Sequence, residues 1–169
     1  MRVIAARFAE NLDALLIRVQ GMEIGQLQWQ IKPGSNTIGM LLAHIAVTEA
    51  YWLSVAACQP SSAELELRVK SIIGIGIEDD GVPMPAGGTH PPRLWGKTAD
   101  NYSMMIRAAR AHTYATARSW SDEDLRVRFQ WEGLETSVEW IICHVLEHFI
   151  HHSGQVACLD SIWHRELGS

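Results

Sequence analysis

No run of Lys or Arg gathers anywhere in this 169-residue chain, and its formal charge is −5, from 14 basic and 19 acidic residues. A polyanion such as nucleic acid therefore has no basic footprint to grip, and no such partner is expected. Cysteine is scarce: Cys58, Cys143 and Cys158 are odd in number and lack CxxC spacing. That argues against a disulfide framework, and the expectation is buried free thiols in a reducing cytoplasm. The opening Met1-Arg2-Val3-Ile4-Ala5-Ala6-Arg7 runs straight into Glu10 and Asp13, so no apolar core of a signal peptide forms. The most apolar stretches, 40–57 and 138–159, carry His44, Glu49, Glu147 and a histidine cluster, so neither reads as a membrane span. Internal repeats and low-complexity tracts are lacking as well.

What is present is helical periodicity. The length suits one domain over 1–169, and 47% hydrophobic residues suffice for a real core. In 3–19, Ile4, Phe8, Leu12, Leu15, Leu16 and Val19 share one face of a first helix. A connector follows through Gly21, Gly25, Pro33 and Gly34, with Leu27, Trp29 and Ile31 able to cover the core. Ser35 or Asn36 is the expected cap of a second helix over 37–58. Residues 63–73 read as a short helix or an extended arm, and 74–92 as a Gly/Pro/Asp-rich loop whose length suggests function or mobility. A third helix spans 98–120, and Ser121 with Asp124 caps a short turn after it. Residues 126–134 read as extended. Thr136-Ser137-Val138-Glu139 has the form of a capping box, launching a last helix that reaches His164. Four long helices without convincing strand pairs predict an all-α, antiparallel four-helix bundle with one long crossover.

The last helix carries the chemistry. Within Ile142-Cys143-His144-Val145-Leu146-Glu147-His148-Phe149-Ile150-His151-His152-Ser153-Gly154-Gln155, His144, His148 and His152 recur every fourth residue among residues that a helix normally buries. Buried imidazoles need partners, and a divalent metal satisfies several at once. Histidines at i, i+4 converge on one point, as in HExxH sites. The candidate pairs are His144/His148, His148/His152 and, at i, i+3, His148/His151. His144 and His152 lie about 12 Å apart along the axis, too far to share one ion comfortably. A further ligand then comes from another helix. His44, flanked by Leu41, Leu42 and Ile45, is the better candidate, and His112, among Arg107, Arg110 and Arg118, looks solvated. His90 and His164 read as surface residues, Asp122-Glu123-Asp124 as a solvated helix start, and Trp29, Trp52, Trp131 and Trp140 as core or pocket wall.

The run Asn36-Thr37-Ile38-Gly39-Met40-Leu41-Leu42-Ala43-His44-Ile45, followed by His148-Phe149-Ile150-His151-His152-Ser153-Gly154-Gln155, resembles the DinB-like superfamily, which includes the DinB/YfiT proteins. The likeness covers most of the chain. It implies a four-helix bundle holding nickel or zinc through three histidines, here His44, His148 and His152. Many relatives carry Arg where this chain has Ser153. Some transfer or isomerise substrates with the thiols bacillithiol or mycothiol. The maleylpyruvate isomerase relatives have an extra domain that this chain is too short to contain.

Two functions follow as expectations. One is a metal-dependent enzyme with thiol-transferase-like or hydrolase-like chemistry on a small molecule, because three histidines leave a coordination position open. The other is a non-catalytic bundle that binds metal or a small ligand, its site closed by His144 or His151. His144, His151, Glu147 and Gln155 are expected as pocket or supporting residues, and Glu147 or Glu49 as a base. Ala6, Ala14 and Ile17 on the first helix and Met104, Met105 and Ile106 on the third suggest a homodimer.

Overall fold

The computed structural model describes residues 2–167, with side chains from Ala6 onward, so the expected core position Ile4 lies outside the described side chains. The helices are α1 (Arg2–Val19), α2 (Ile24–Gln28), α3 (Ile38–Cys58), α4 (Ser62–Ile73), α5 (Ala99–Ala117), α6 (Asp122–Arg126) and α7 (Val138–Glu166). Two single-turn 3₁₀ helices, Ile77–Asp80 and Pro92–Leu94, sit in the crossover between α4 and α5. A hairpin, β1 (Arg128–Trp131) and β2 (Leu134–Ser137), precedes α7.

Helix α3 is the centre of the bundle. It is apolar almost all round, so it can only be stable when other helices cover it, and α4, α5 and α7 do so. It has the length and composition of a membrane-crossing helix, yet 67% of its most apolar window is buried inside the protein. Its close fit to α5 depends on Gly39, where an added Cβ would lie 2.5 Å from the hydroxyl oxygen of the fully buried Tyr102. Helix α1 packs on α7, burying Phe8, Leu12, Leu15, Leu16 and Val19.

Several local expectations are corrected. Thr37, not Ser35 or Asn36, caps α3: its side chain accepts from the Met40 amide at 3.1 Å, while Ser35 closes the preceding turn onto the Lys32 carbonyl. Of the two forms left open for 63–73, the helix is the one adopted, over Ser62–Ile73, because Ser61 and Glu64 form a capping box and Gly74, at φ 84°, ends it. The extended segment does find a strand partner. Glu132 and Gly133, at φ 50° and 83°, make a two-residue loop of the kind that suits a hairpin's twist. Pairing of Arg128 with Ser137 then holds Thr136 in β2, so Ser137 caps α7 through the Trp140 amide at 3.1 Å. The three cysteines are exposed, not buried. Of the residues suggested for pairing, Ala6, Ala14, Ile17 and Met104 are exposed, whereas Met105 and Ile106 belong to the core.

Candidate metal centre

His44 lies in the second turn of α3, and His148 and His152 follow one another up α7, the helix packed against it. The i, i+4 spacing brings both α7 rings to the same side, and His44 enters from across the helix interface. The Nε2 atoms of His44 and His148 are 3.0 Å apart, and the three residues offer one ring nitrogen each, all within 4.8 Å of one another. The rings pack edge to face, with centroids 4.3 Å apart for His148 and His152 and 4.9 Å for His44 and His152.

The far side of two rings is held in place. His44 Nδ1 donates to Asp80 Oδ2 at 2.9 Å, and Asp80 Oδ1 accepts the Val82 amide at 2.9 Å. His152 Nδ1 donates to Gln155 Oε1 at 2.7 Å, and the Gln155 amide in turn donates to His151 Nε2 at 3.1 Å. With the proton on Nδ1, each ring keeps its Nε2 lone pair for the cluster. Such outer partners fix ring orientation and tautomer in metal sites. Burial drives the proton affinity of His148 down to about 3, with the neighbouring rings of His152, His44, His144 and His151 adding to the effect. His152 is shifted the same way, chiefly by burial, against the opposing effect of the hydrogen bond it donates to Gln155. The two α7 rings are therefore neutral near pH 7, the form in which imidazole binds a metal.

Asp80 is the residue that sequence reasoning missed. It sits at the end of the Ile77–Asp80 turn, 2% exposed, and Gly81 at φ 71° bends the chain away just after it. The long crossover predicted an undefined functional loop; its role here is to deliver one carboxylate. The two carboxylates singled out as bases do other things. Glu49 is clamped by Arg110 and Thr113, and Glu147 is exposed on α7 with no hydrogen bond to a ring.

The remaining histidines separate clearly. His144 stacks on Trp140, with ring planes 7° apart and centroids 4.8 Å apart, and forms a wall one turn below His148. His151 is exposed; its ring meets His152 edge-on, with centroids 4.9 Å apart, and its Nε2 accepts from the Gln155 amide. His112 is half-buried on α5 rather than solvated, and stays outside the cluster. His90, expected on the surface, is 4% exposed: its Nδ1 meets the Thr37 hydroxyl at 2.8 Å, fastening the crossover to the start of α3. His164 is exposed, beside Asp160.

Three converging imidazoles, two of them oriented by outer partners, fit a divalent cation better than they fit one another. A single proton can bridge the 3.0 Å gap between His44 and His148, and leaves the His152 nitrogen unused. An all-imidazole donor set suits zinc or nickel, so the residues present match the metal that the resemblance implies.

Comparison with known proteins agrees with this geometry. Among curated proteins none matches the chain. A solved structure similar to it is the crystal structure of a DinB-like protein from Bacillus cereus ATCC 10987, at 18% identity and a TM-score of 0.64, covering 99% of this chain and 93% of that one. At that identity the likeness speaks for the fold, and it is the bundle that the histidine motifs led one to expect. The family model described as Mycothiol-S-transferase matches residues 3–162, and the chain belongs to that family, within the DinB-like superfamily.

Proposed function

We propose that the protein is a thiol S-transferase that joins a low-molecular-weight thiol to a small electrophile at a divalent metal held by His44, His148 and His152. The observation that carries this reading is the convergence of three ring nitrogens within 4.8 Å. Zinc or nickel, bound there with a coordination position left open, would keep the sulfur of a bound thiol deprotonated near neutral pH. Asp80 holds His44 by its Nδ1 proton, and Gln155 does the same for His152, so neither ring has to reorient to bind. Mycothiol, named in the family's description, is the co-substrate we put first.

One observation favours thiol transfer over hydrolysis. HExxH sites add a glutamate as general base for water. Here Asp80 is committed to His44 and Val82, Glu49 to Arg110, and Glu147 points to solvent. A thiol, being far more acidic than water, has less need of such a base.

The test uses protein purified without a histidine tag and loaded with cobalt. Adding millimolar thiol should produce sulfur-to-cobalt absorption bands, and the metal-loaded protein should then consume thiol and electrophile together. A cobalt spectrum that ignores thiol would mean a closed site and a binding protein instead. We further propose a homodimer paired through the exposed Ile17 and Met104, and a cytoplasmic setting in which the exposed thiols stay reduced. A monomeric mass at micromolar concentration would overturn the pairing.

A further inference from the structure

The stripe of α7 that carries His148 and His152 begins two turns earlier, with Trp140 and His144. Trp140 and His144 stack as one flat slab, and Trp52 from α3 stands edge-on to both, at 5.6 Å and 73° to Trp140 and 5.4 Å and 79° to His144. Tyr51 and Trp131 brace the slab from behind: Tyr51 meets Trp52 edge-on, and Trp131 Nε1 donates to the Tyr51 hydroxyl at 3.0 Å. From His144 the row of rings continues to His148, with centroids 6.0 Å apart. An unbroken aromatic surface thus leads from the hairpin to the three-histidine cluster.

Two features set this slab apart from core packing. Trp140 is 43% exposed although it is the bulkiest side chain on its turn. His144 makes no side-chain hydrogen bond among the described residues, and its partner in the stack is the Trp140 ring, 7° from parallel. Arg128 and Glu135, which line a small cavity of about 160 Å³ with Trp140, pair with each other at 2.8 Å, and the carboxylate of Glu147 lies close enough to act on His144. The Arg128 cation is already paired and so does not recruit an anion, whereas a planar ring gains by stacking on Trp.

We propose that the Trp140–His144 slab seats the electrophile, and that this electrophile is a flat, uncharged aromatic; the proposal rests on the transferase reading above. With an aryl halide so placed, the thiol sulfur forms the new carbon–sulfur bond and the carbon–halogen bond breaks. The halide leaves with the electron pair, and the thiol proton passes to solvent.

The experiment measures binding apart from turnover. Meta-dinitrobenzene is flat, uncharged and without a leaving group, and nitrocyclohexane is its non-planar counterpart. Equilibrium dialysis against the metal-loaded protein should show the aromatic probe bound, about tenfold more weakly to Trp140→Leu and close to normally to Trp140→Phe. Nitrocyclohexane should bind weakly to all three, and metal content per chain should stay unchanged. In turnover, Trp140→Leu should raise KM for chlorodinitrobenzene with little change in kcat, and leave KM for iodoacetamide unmoved. No binding of meta-dinitrobenzene to the unaltered protein, no loss in Trp140→Leu, or an equal loss for nitrocyclohexane overturns the proposal. If the probe binds as expected while no thiol is ever transferred, the aromatic seat stands and the transferase reading falls.

Discussion

Two polar clusters lie on the same central helix, little more than a turn apart, and they are built in opposite ways. Around Glu49 every group is used. Arg110 donates to both carboxylate oxygens, at 2.7 and 3.0 Å, Thr113 adds a third bond at 2.6 Å, and another guanidinium nitrogen reaches the Phe8 carbonyl. Phe8 and Phe149 close over the guanidinium, and both charged residues are 2% exposed or less. Around His44 the outer nitrogens of His44 and His152 are matched, while the inner ones face each other with more lone pairs than protons to share. The pairing cluster is complete and ties α1, α3 and α5 together. The histidine cluster leaves ring nitrogens that its own protons do not fill. Polar burial by itself does not mark a site; an unbalanced set of donors and acceptors does.

Arg110→Ala should break that contrast most forcefully. It strands a buried carboxylate, and a loss of about 3–5 kcal/mol in urea unfolding is expected. Folded protein should still bind one metal per chain. If unfolding is barely affected, the Glu49 cluster is not the structural member of the pair.

His148→Ala should do the reverse. Metal per chain in elemental analysis should fall to near zero, because two nitrogens on separate helices hold an ion poorly. Stability of the metal-free protein should change by less than about 1 kcal/mol, since a partly exposed ring is trimmed from an unsatisfied cluster. Full metal stoichiometry in this variant would refute the three-histidine site.

Asp80→Asn probes the outer ring of contacts. Metal affinity measured by chelator competition should drop about 10–100-fold, the usual cost of losing such a partner. An unchanged affinity would reduce Asp80 to a loop-folding residue.

Acid should also tell the clusters apart. The folded protein holds His148 near 3, below the roughly 6.5 of an unfolded chain. Between those values the unfolded state binds more protons, so stability rises with pH. The stability that neutral His148 contributes is complete above about pH 6.5 and is lost as pH falls toward 3; His152 acts in the same direction. Urea midpoints of the metal-free protein at pH 7, 6 and 5 should therefore decline. A flat profile that falls only in His148→Ala would reverse the assignment. Smallest of all, His144→Ala should alter metal affinity by less than about threefold, because its ring contacts His148 without joining the cluster.

Much of this was legible in one dimension. The periodic apolar residues of 3–19, 37–58 and 138–164 announced their helices because periodicity is local and survives any packing. The four-residue spacing of His148 and His152 placed them on one face for the same reason, and the apolar setting of His44 made it the better partner. Less visible were features that depend on a competitor nearby. Ser35 and Asn36 looked as good a cap as Thr37, and Thr136 as good as Ser137, until turn and strand pairing claimed the rival residues. The Glu132-Gly133 loop was the available signal for the hairpin.

By itself, then, the sequence determined which helices form and which histidines each helix can offer to a common point. Only the tertiary structure decided which carboxylate serves them. Asp80 comes from an aperiodic crossover, 36 residues from His44, and Arg110 reaches Glu49 across 61 residues. It also decided that Trp52 and Trp140, on different helices, become one wall. Spacing along a helix follows from a fixed turn of the backbone, whereas a contact between distant segments exists only once the whole core has chosen how to close.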